Sequence, residues 1–181
     1  MRLQTAKTPG REDEMVEDAM QRGYGRVPGP EPPPALDRLA REVIGAAIAV
    51  HRTLGPGFQE SVYEEALAVE LTLRDIPFER QVVTSVPYEG RAVGEHRLDL
   101  LVAGKLVVEL KTVATMSPVY EAVVLSYLKA TGLQLALLIN FKVPVLKDGI
   151  KRVVLSSPSL ASSRLGGSNL NAHRGGQVNG D

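Results

Sequence analysis

The sequence predicts an α/β fold, a mixed β-sheet flanked by helices, and three observations carry that prediction. Two stretches in the first half repeat apolar residues at helical spacing. Three β-patterned runs follow, two of them joined across a glycine. A third helical stretch then leads into a continuously apolar run, "LQLALLINF". The resulting order, α-α-β-β-β-α-β-β, is that of strands covered by helices in layers.

Taken in order, residues 1–33 are polar and end in "GRVPGPEPPP", a Pro/Gly-rich composition unsuited to helix or core. They are read as a disordered leader. The Ser/Gly/Asn-rich end, 156–181, is read as a disordered tail, which leaves a domain of 34–155 with no internal repeat. "ALDRLAREVIGAAIAVHRTLG" puts Leu36, Leu39, Val43, Ala47, Val50 and Leu54 on one stripe, closed by Gly55 and Pro56. "FQESVYEEALAVELTLRD" is a second helix, with Val62, Ala66, Val69 and Leu73 assigned inward. Strands are expected near 80–88, 95–102 and 106–113. Ser117 and Pro118 make a cap and first-turn pair for the third helix. "LQLALLINF" reads as a buried central strand, and "VPVLKDGIKRVVL" as a final hairpin around Asp148-Gly149.

Composition narrows the functional classes. The chain has no cysteine, which excludes disulfides, thiolate nucleophiles and thiolate metal sites. With 21 basic and 21 acidic residues there is no bulk field for non-specific nucleic-acid binding, so a polyanion needs a local patch or a metal ion. The start "MRLQTAKTPG" lacks the apolar core of a secretory signal, and no apolar run is long enough to span a bilayer. A cytoplasmic protein with no membrane association is the expectation.

The stretch that raises a chemical question is "RLDLLVAGKLVVELK", residues 97–111, where Asp99 and Glu109 interrupt aliphatic strands. Strand alternation puts Arg97, Asp99 and Leu101 on one face and Leu98, Leu100 and Val102 on the other. Ala103-Gly104-Lys105 suits a three-residue hairpin loop, and pairing Val102 with Leu106 sets Asp99 opposite Glu109 on one face. Like charges so opposed are destabilising, but a shared cation reverses the sign, and hard oxygen ligands suit Mg²⁺ or Mn²⁺. Lys111, two residues beyond Glu109, suits a phosphate or an attacking water. A solvent-facing charge ladder, with Arg97 opposite Lys111, fits the same spacing, and geometry alone leaves both readings open.

Two patterns carry a family resemblance. Gly57, Glu60 and Tyr63 in "GFQESVY" have the Gly-x-x-Glu-x-x-Tyr spacing of the GxxExxY protein family. Asp99, nine intervening residues, then Glu109-Leu110-Lys111 resembles the Asp…Glu-x-Lys core of the PD-(D/E)XK superfamily that contains it. "LKATGLQLALLINF" is similar to that family's closing strand. The resemblance covers about 36–155 and implies a restriction-endonuclease-like αβββαβ core. It further implies a metal-dependent phosphodiesterase or nuclease acting on DNA or RNA. Asp99, Glu109 and Glu60 would bind Mg²⁺ or Mn²⁺, and Lys111 would act on the water or phosphate. Tyr127 matches a helix tyrosine of exonuclease-like relatives as a substrate or structural residue. Glu60 also suits a helix N-terminus, and Tyr63 suits packing against the sheet.

One departure stands out. Where the family usually carries His-Glu-Ala-Gln, this chain reads Tyr120-Glu121-Ala122-Val123, and valine neither donates nor accepts a hydrogen bond. That supports an alternative: a catalytically weakened relative that binds nucleic acid or protein, or a subunit whose groove a partner completes. His51 and His96 lack paired spacing and are expected at the surface, and Gly55-Pro56-Gly57 is a turn rather than a phosphate loop.

Overall fold

Apolar spacing and a proline at the first turn are realised in α2, Pro34–Leu54, whose chain reverses at Gly55 with φ of 70°. The structure, a computed structural model, describes residues 10–21 and 31–155. Helix α3, Glu60–Leu73, packs against α2 after the short turn of residues 55–59. Strands β1 (Phe78–Tyr88), β2 (Arg91–Val102) and β3 (Leu106–Lys111) follow, then α4 (Pro118–Thr131), β4 (Leu135–Asn140) and β5 (Ile150–Val154).

The five strands lie in chain order. β1, β2 and β3 are antiparallel neighbours, β3 and β4 are parallel, and β5 runs antiparallel to β4. The parallel pair requires a crossover, and α4 supplies it. From α3 onward the order is αβββαβ, the core expected for a restriction-endonuclease-like fold, in a mixed sheet with helices on both faces. β4 is an inner strand with all six residues buried. One cluster packs α2 and α3 against Leu100, Val102, Leu106, Val108, Leu110, Leu137 and Ile139. The other packs α4 against Leu98, Val107, Ala136, Leu138 and Val153.

Four expectations need correction. Within the stretch read as a disordered leader, Arg11–Gln21 form helix α1. Glu12, Asp13 and Glu14 complement its N-terminus, the Asp13 carboxylate accepts from Gly10 N–H at 2.8 Å, and Ala19 and Met20 are buried. Residues 1–9 and 22–30 of that stretch, and 156–181, lie outside the described residues. In α3 the inward stripe is Tyr63, Leu67 and Leu71, whereas Val62, Val69 and Leu73 are exposed. Val143–Val145 form no hairpin strand, because β4 takes β5 as its neighbour and Pro144 has no N–H to give a ladder. A single 3₁₀ turn, Leu146–Gly149, fills the gap. His51 is buried rather than superficial, its Nε2 2.9 Å from the Val143 carbonyl.

Candidate metal and phosphate site

The hairpin register is as expected: Val102 pairs with Leu106, Leu101 with Val107 and Leu100 with Val108. Ala103 and Gly104 take the positive φ of the loop, 51° and 63°. Beyond that pair the alternation breaks. Leu98 packs with the α4 cluster while Leu100 and Val102 pack with the α2–α3 cluster, although all three have the same parity. The neighbouring strand breaks at the same level: Arg80 pairs with Leu100 and Val82 with Leu98, and Gln81 between them has φ of 52°. Asp99 therefore lies where β2 changes faces, and the face assignment by strict alternation fails there. Its Oδ2 accepts from Leu110 N–H at 2.8 Å, a backbone donor of the strand opposite.

Glu109 and Lys111 follow on β3. Lys111 Nζ donates to Glu109 Oε1 at 2.8 Å and to the Leu110 carbonyl at 2.6 Å, and lies 3.7 Å from Glu60 Oε1. It also stands 5.9 Å from the centre of the Tyr120 ring, within cation–π range. Glu60 is the first residue of α3 and Tyr120 is in the first turn of α4. Two helix starts on opposite faces and the end of a buried strand thus converge on one ammonium. The α4 start is fixed by Ser117, whose hydroxyl accepts from Val119 N–H at 3.3 Å.

Charge in this site is held against its environment. Burial, then the charge of Asp99, pushes Glu109 from 4.5 to about 7, and one lysine does not offset both. Burial likewise raises Asp99, opposed by the Leu110 N–H and Lys111. It raises Glu60, opposed first by Lys111. Burial works against the charge on Lys111, but its bond to Glu109 and three nearby carboxylates outweigh it and raise its pKa. Tyr127, buried on α4, is raised by burial and then by the charge of Glu109, which marks it as a neighbour of the site. Its ring meets His96 edge-on at 4.8 Å.

Glu109 Oε2 is buried without a hydrogen-bond partner, one of two such side-chain atoms among the described residues, the other being Arg152 Nε. An orphaned, hard, anionic oxygen beside a second carboxylate fits a divalent cation in its donor chemistry. Among the described residues no group of three or more His, Cys, Asp or Glu side chains is arranged as a cage. The fit is to two carboxylates with water and substrate completing the shell, as Mg²⁺ tolerates.

Tyr63 does not reach this site. It is fully buried, stacked on Phe141 at 4.4 Å, and its hydroxyl donates to the Gly55 carbonyl and accepts from Phe58 N–H at 3.1 Å. It pins the turn that launches α3, and so fixes where Glu60 stands. Val123 packs against the α4 cluster. Sequence reasoning gave no role to Tyr120 or Asn140. Asn140 is buried opposite Lys111; its amide donates to the Val113 carbonyl at 2.8 Å and accepts from Val113 N–H at 3.1 Å. That clamps the chain just beyond the lysine. The signal available was an asparagine closing an otherwise aliphatic run.

Among the described residues no helix is long and apolar enough to cross a membrane. A family model described as the PD-(D/E)XK nuclease superfamily matches residues 37–153. No curated protein and no solved structure matches the chain.

Proposed function

This chain belongs to the PD-(D/E)XK nuclease superfamily, and from that premise we propose that it is a metal-dependent phosphodiesterase acting on DNA or RNA. The observation that carries the reading is the unpartnered, buried Oε2 of Glu109. A carboxylate oxygen withdrawn from water is costly unless a proton or a cation takes it. Asp99 and Glu109 would hold Mg²⁺ or Mn²⁺. Glu60, 3.7 Å from Lys111, acts on the ion through the lysine or as a further ligand.

A divalent ion held there supplies Lewis-acid polarisation of the scissile phosphate and a lowered pKa for attacking water. The chain's own residues do the rest. Lys111, charged and fixed by several acceptors, stabilises negative charge developing on a phosphate oxygen. Leu110 N–H orients the Asp99 carboxylate, and the burial of Glu109 on β3 limits water around it. The Gly57, Glu60, Tyr63 spacing supports the GxxExxY branch of the superfamily.

The test is a cleavage panel on single- and double-stranded DNA and RNA, in Mg²⁺, Mn²⁺ and EDTA, with wild type beside E109A. Metal-dependent cutting lost in E109A is expected. A second reading, a binding module without catalysis, is favoured by Val123, which offers the site no hydrogen-bonding group and contributes to packing instead. Salt-sensitive nucleic-acid binding with no cutting in any metal would select it.

A further inference from the structure

The two oxygens of Glu109 are not equivalent, and the cause is Lys111. Oε1 accepts the 2.8 Å bond from Nζ, while Oε2 is buried and unpartnered. The ammonium is not free to drift. It also bonds the Leu110 carbonyl at 2.6 Å, sits 3.7 Å from Glu60 and faces the Tyr120 ring, with its side chain 17% exposed. Glu109 is held as tightly, on a buried strand with its side chain 7% exposed.

Resting on the reading of Asp99 and Glu109 as metal-holding carboxylates, we propose that Lys111 determines which ion the site accepts. By holding Oε1 it leaves Glu109 a single oxygen, and so favours Mg²⁺ or Mn²⁺ over Ca²⁺. Calcium takes roughly 6–8 oxygens and readily uses both oxygens of one carboxylate, whereas magnesium takes about six ligands and keeps several waters. Two-oxygen coordination by Glu109 would have to break a buried, charge-assisted bond. Glu60 is then a positioning residue, whose charge 3.7 Å away helps to keep the ammonium in place on Oε1.

The experiment is isothermal titration of Mn²⁺ and of Ca²⁺ into the full chain at pH 8, with wild type, K111M and E60Q. Removing a positive charge strengthens binding of both ions, so the quantity read is the ratio of the two affinities, in which that effect cancels. We expect wild type to prefer Mn²⁺, and K111M to narrow the preference by about tenfold or more as Ca²⁺ gains the second oxygen. E60Q narrows it less, the weakening of both ions by the lost negative charge cancelling in the same ratio. It also keeps the test open if K111M does not fold, as near-ultraviolet circular dichroism would report. A ratio unchanged in both variants overturns the role of Lys111 while the metal site stands. If K111M narrows the ratio and E60Q leaves it at the wild-type value, Glu60 does not hold the ammonium on Oε1 and its positioning role fails. No divalent binding by folded wild type overturns the phosphodiesterase reading, and this inference with it.

Discussion

Glu109 meets two opposed demands: an apolar strand surrounds it, and Lys111 asks it to stay ionised. Burial and Asp99 prevail, and the folded pKa rises from 4.5 to about 7. A carboxyl whose folded pKa is raised binds its proton more tightly folded than unfolded. Its contribution to stability is therefore full below about 4.5, falls as pH rises and is lost above about 7. Wild type in EDTA should lose on the order of 3 kcal/mol across that window relative to E109Q, which stays neutral throughout. Urea unfolding at stepped pH checks this, and matching slopes for the two proteins would refute it. Ionisation through the same window should strengthen divalent binding. The triad Asp99, Glu109, Lys111 was legible because charged residues in aliphatic strands stand out. The face on which Asp99 lies was not. Alternation assumes an unbroken strand, and the positive φ of Gln81 leaves no mark in a polar, exposed stretch. Tyr120 was seen only as the loss of a histidine, because a contact between α4 and Lys111 requires the crossover geometry.

Helix α3 shows how an element can be read correctly and rotated wrongly. Its sequence holds two stripes at helical spacing, Val62-Ala66-Val69-Leu73 and Tyr63-Leu67-Leu71, and periodicity cannot rank them. Tertiary packing chose the second, because a tyrosine can stack on Phe141 and still satisfy its hydroxyl at the Gly55 turn. Leu67→Ala should cost about 2–5 kcal/mol, while Val69→Lys should stay within roughly 0.5 kcal/mol. Chemical denaturation of both variants decides it; equal losses would mean that Val69 is buried after all. The choice bears on function, since the other rotation would turn Glu60 away from Lys111. The connection from β4 to β5 is a second case. "VPVLKDGIKRVVL" has the apolar content of two strands, yet the chain has one vacancy, beside β4. Gly149 lets the 3₁₀ turn close under Asn140, where an added Cβ would come within 2.3 Å of the Asn140 carbonyl oxygen. Gly149→Ala should destabilise by about 1–3 kcal/mol through backbone displacement. Because Asn140 clamps Val113, it should also weaken divalent binding, which titration would read.

Across the whole molecule, α1 lies outside the matched span 37–153 yet docks on its surface. Glu12 pairs with Arg52 at 2.8 Å, Asp18 with Lys147 at 2.7 Å, and Glu17 with Arg41, around the buried Ala19 and Met20. The sequence hid this helix because four apolar residues among eleven are few, and the Pro/Gly run after it dominated the composition. Its main partners are α2, the 3₁₀ turn and β5, none of which carries Asp99, Glu109, Lys111 or Glu60, and it meets α3 only at Arg74, 3.9 Å from Glu12 at the end of the helix opposite Glu60. Stability and metal binding should therefore separate. Removing residues 1–21 should cost about 1.5–3 kcal/mol, the scale of one fully buried large apolar side chain, with partly exposed ion pairs adding little. Mn²⁺ at ten times its dissociation constant stabilises by RT ln 11, about 1.4 kcal/mol, if only the folded chain binds it. Distant, independent contributions add. The truncated chain should thus melt at a lower temperature without metal, and gain from Mn²⁺ the same free energy as the full chain. Thermal unfolding of both forms with and without Mn²⁺, beside E109A as the form with no gain, checks the two terms at once. A smaller metal gain in the truncated chain would mean that α1 reaches the site through α2 and α3, by holding the Gly55 turn from which Glu60 is set.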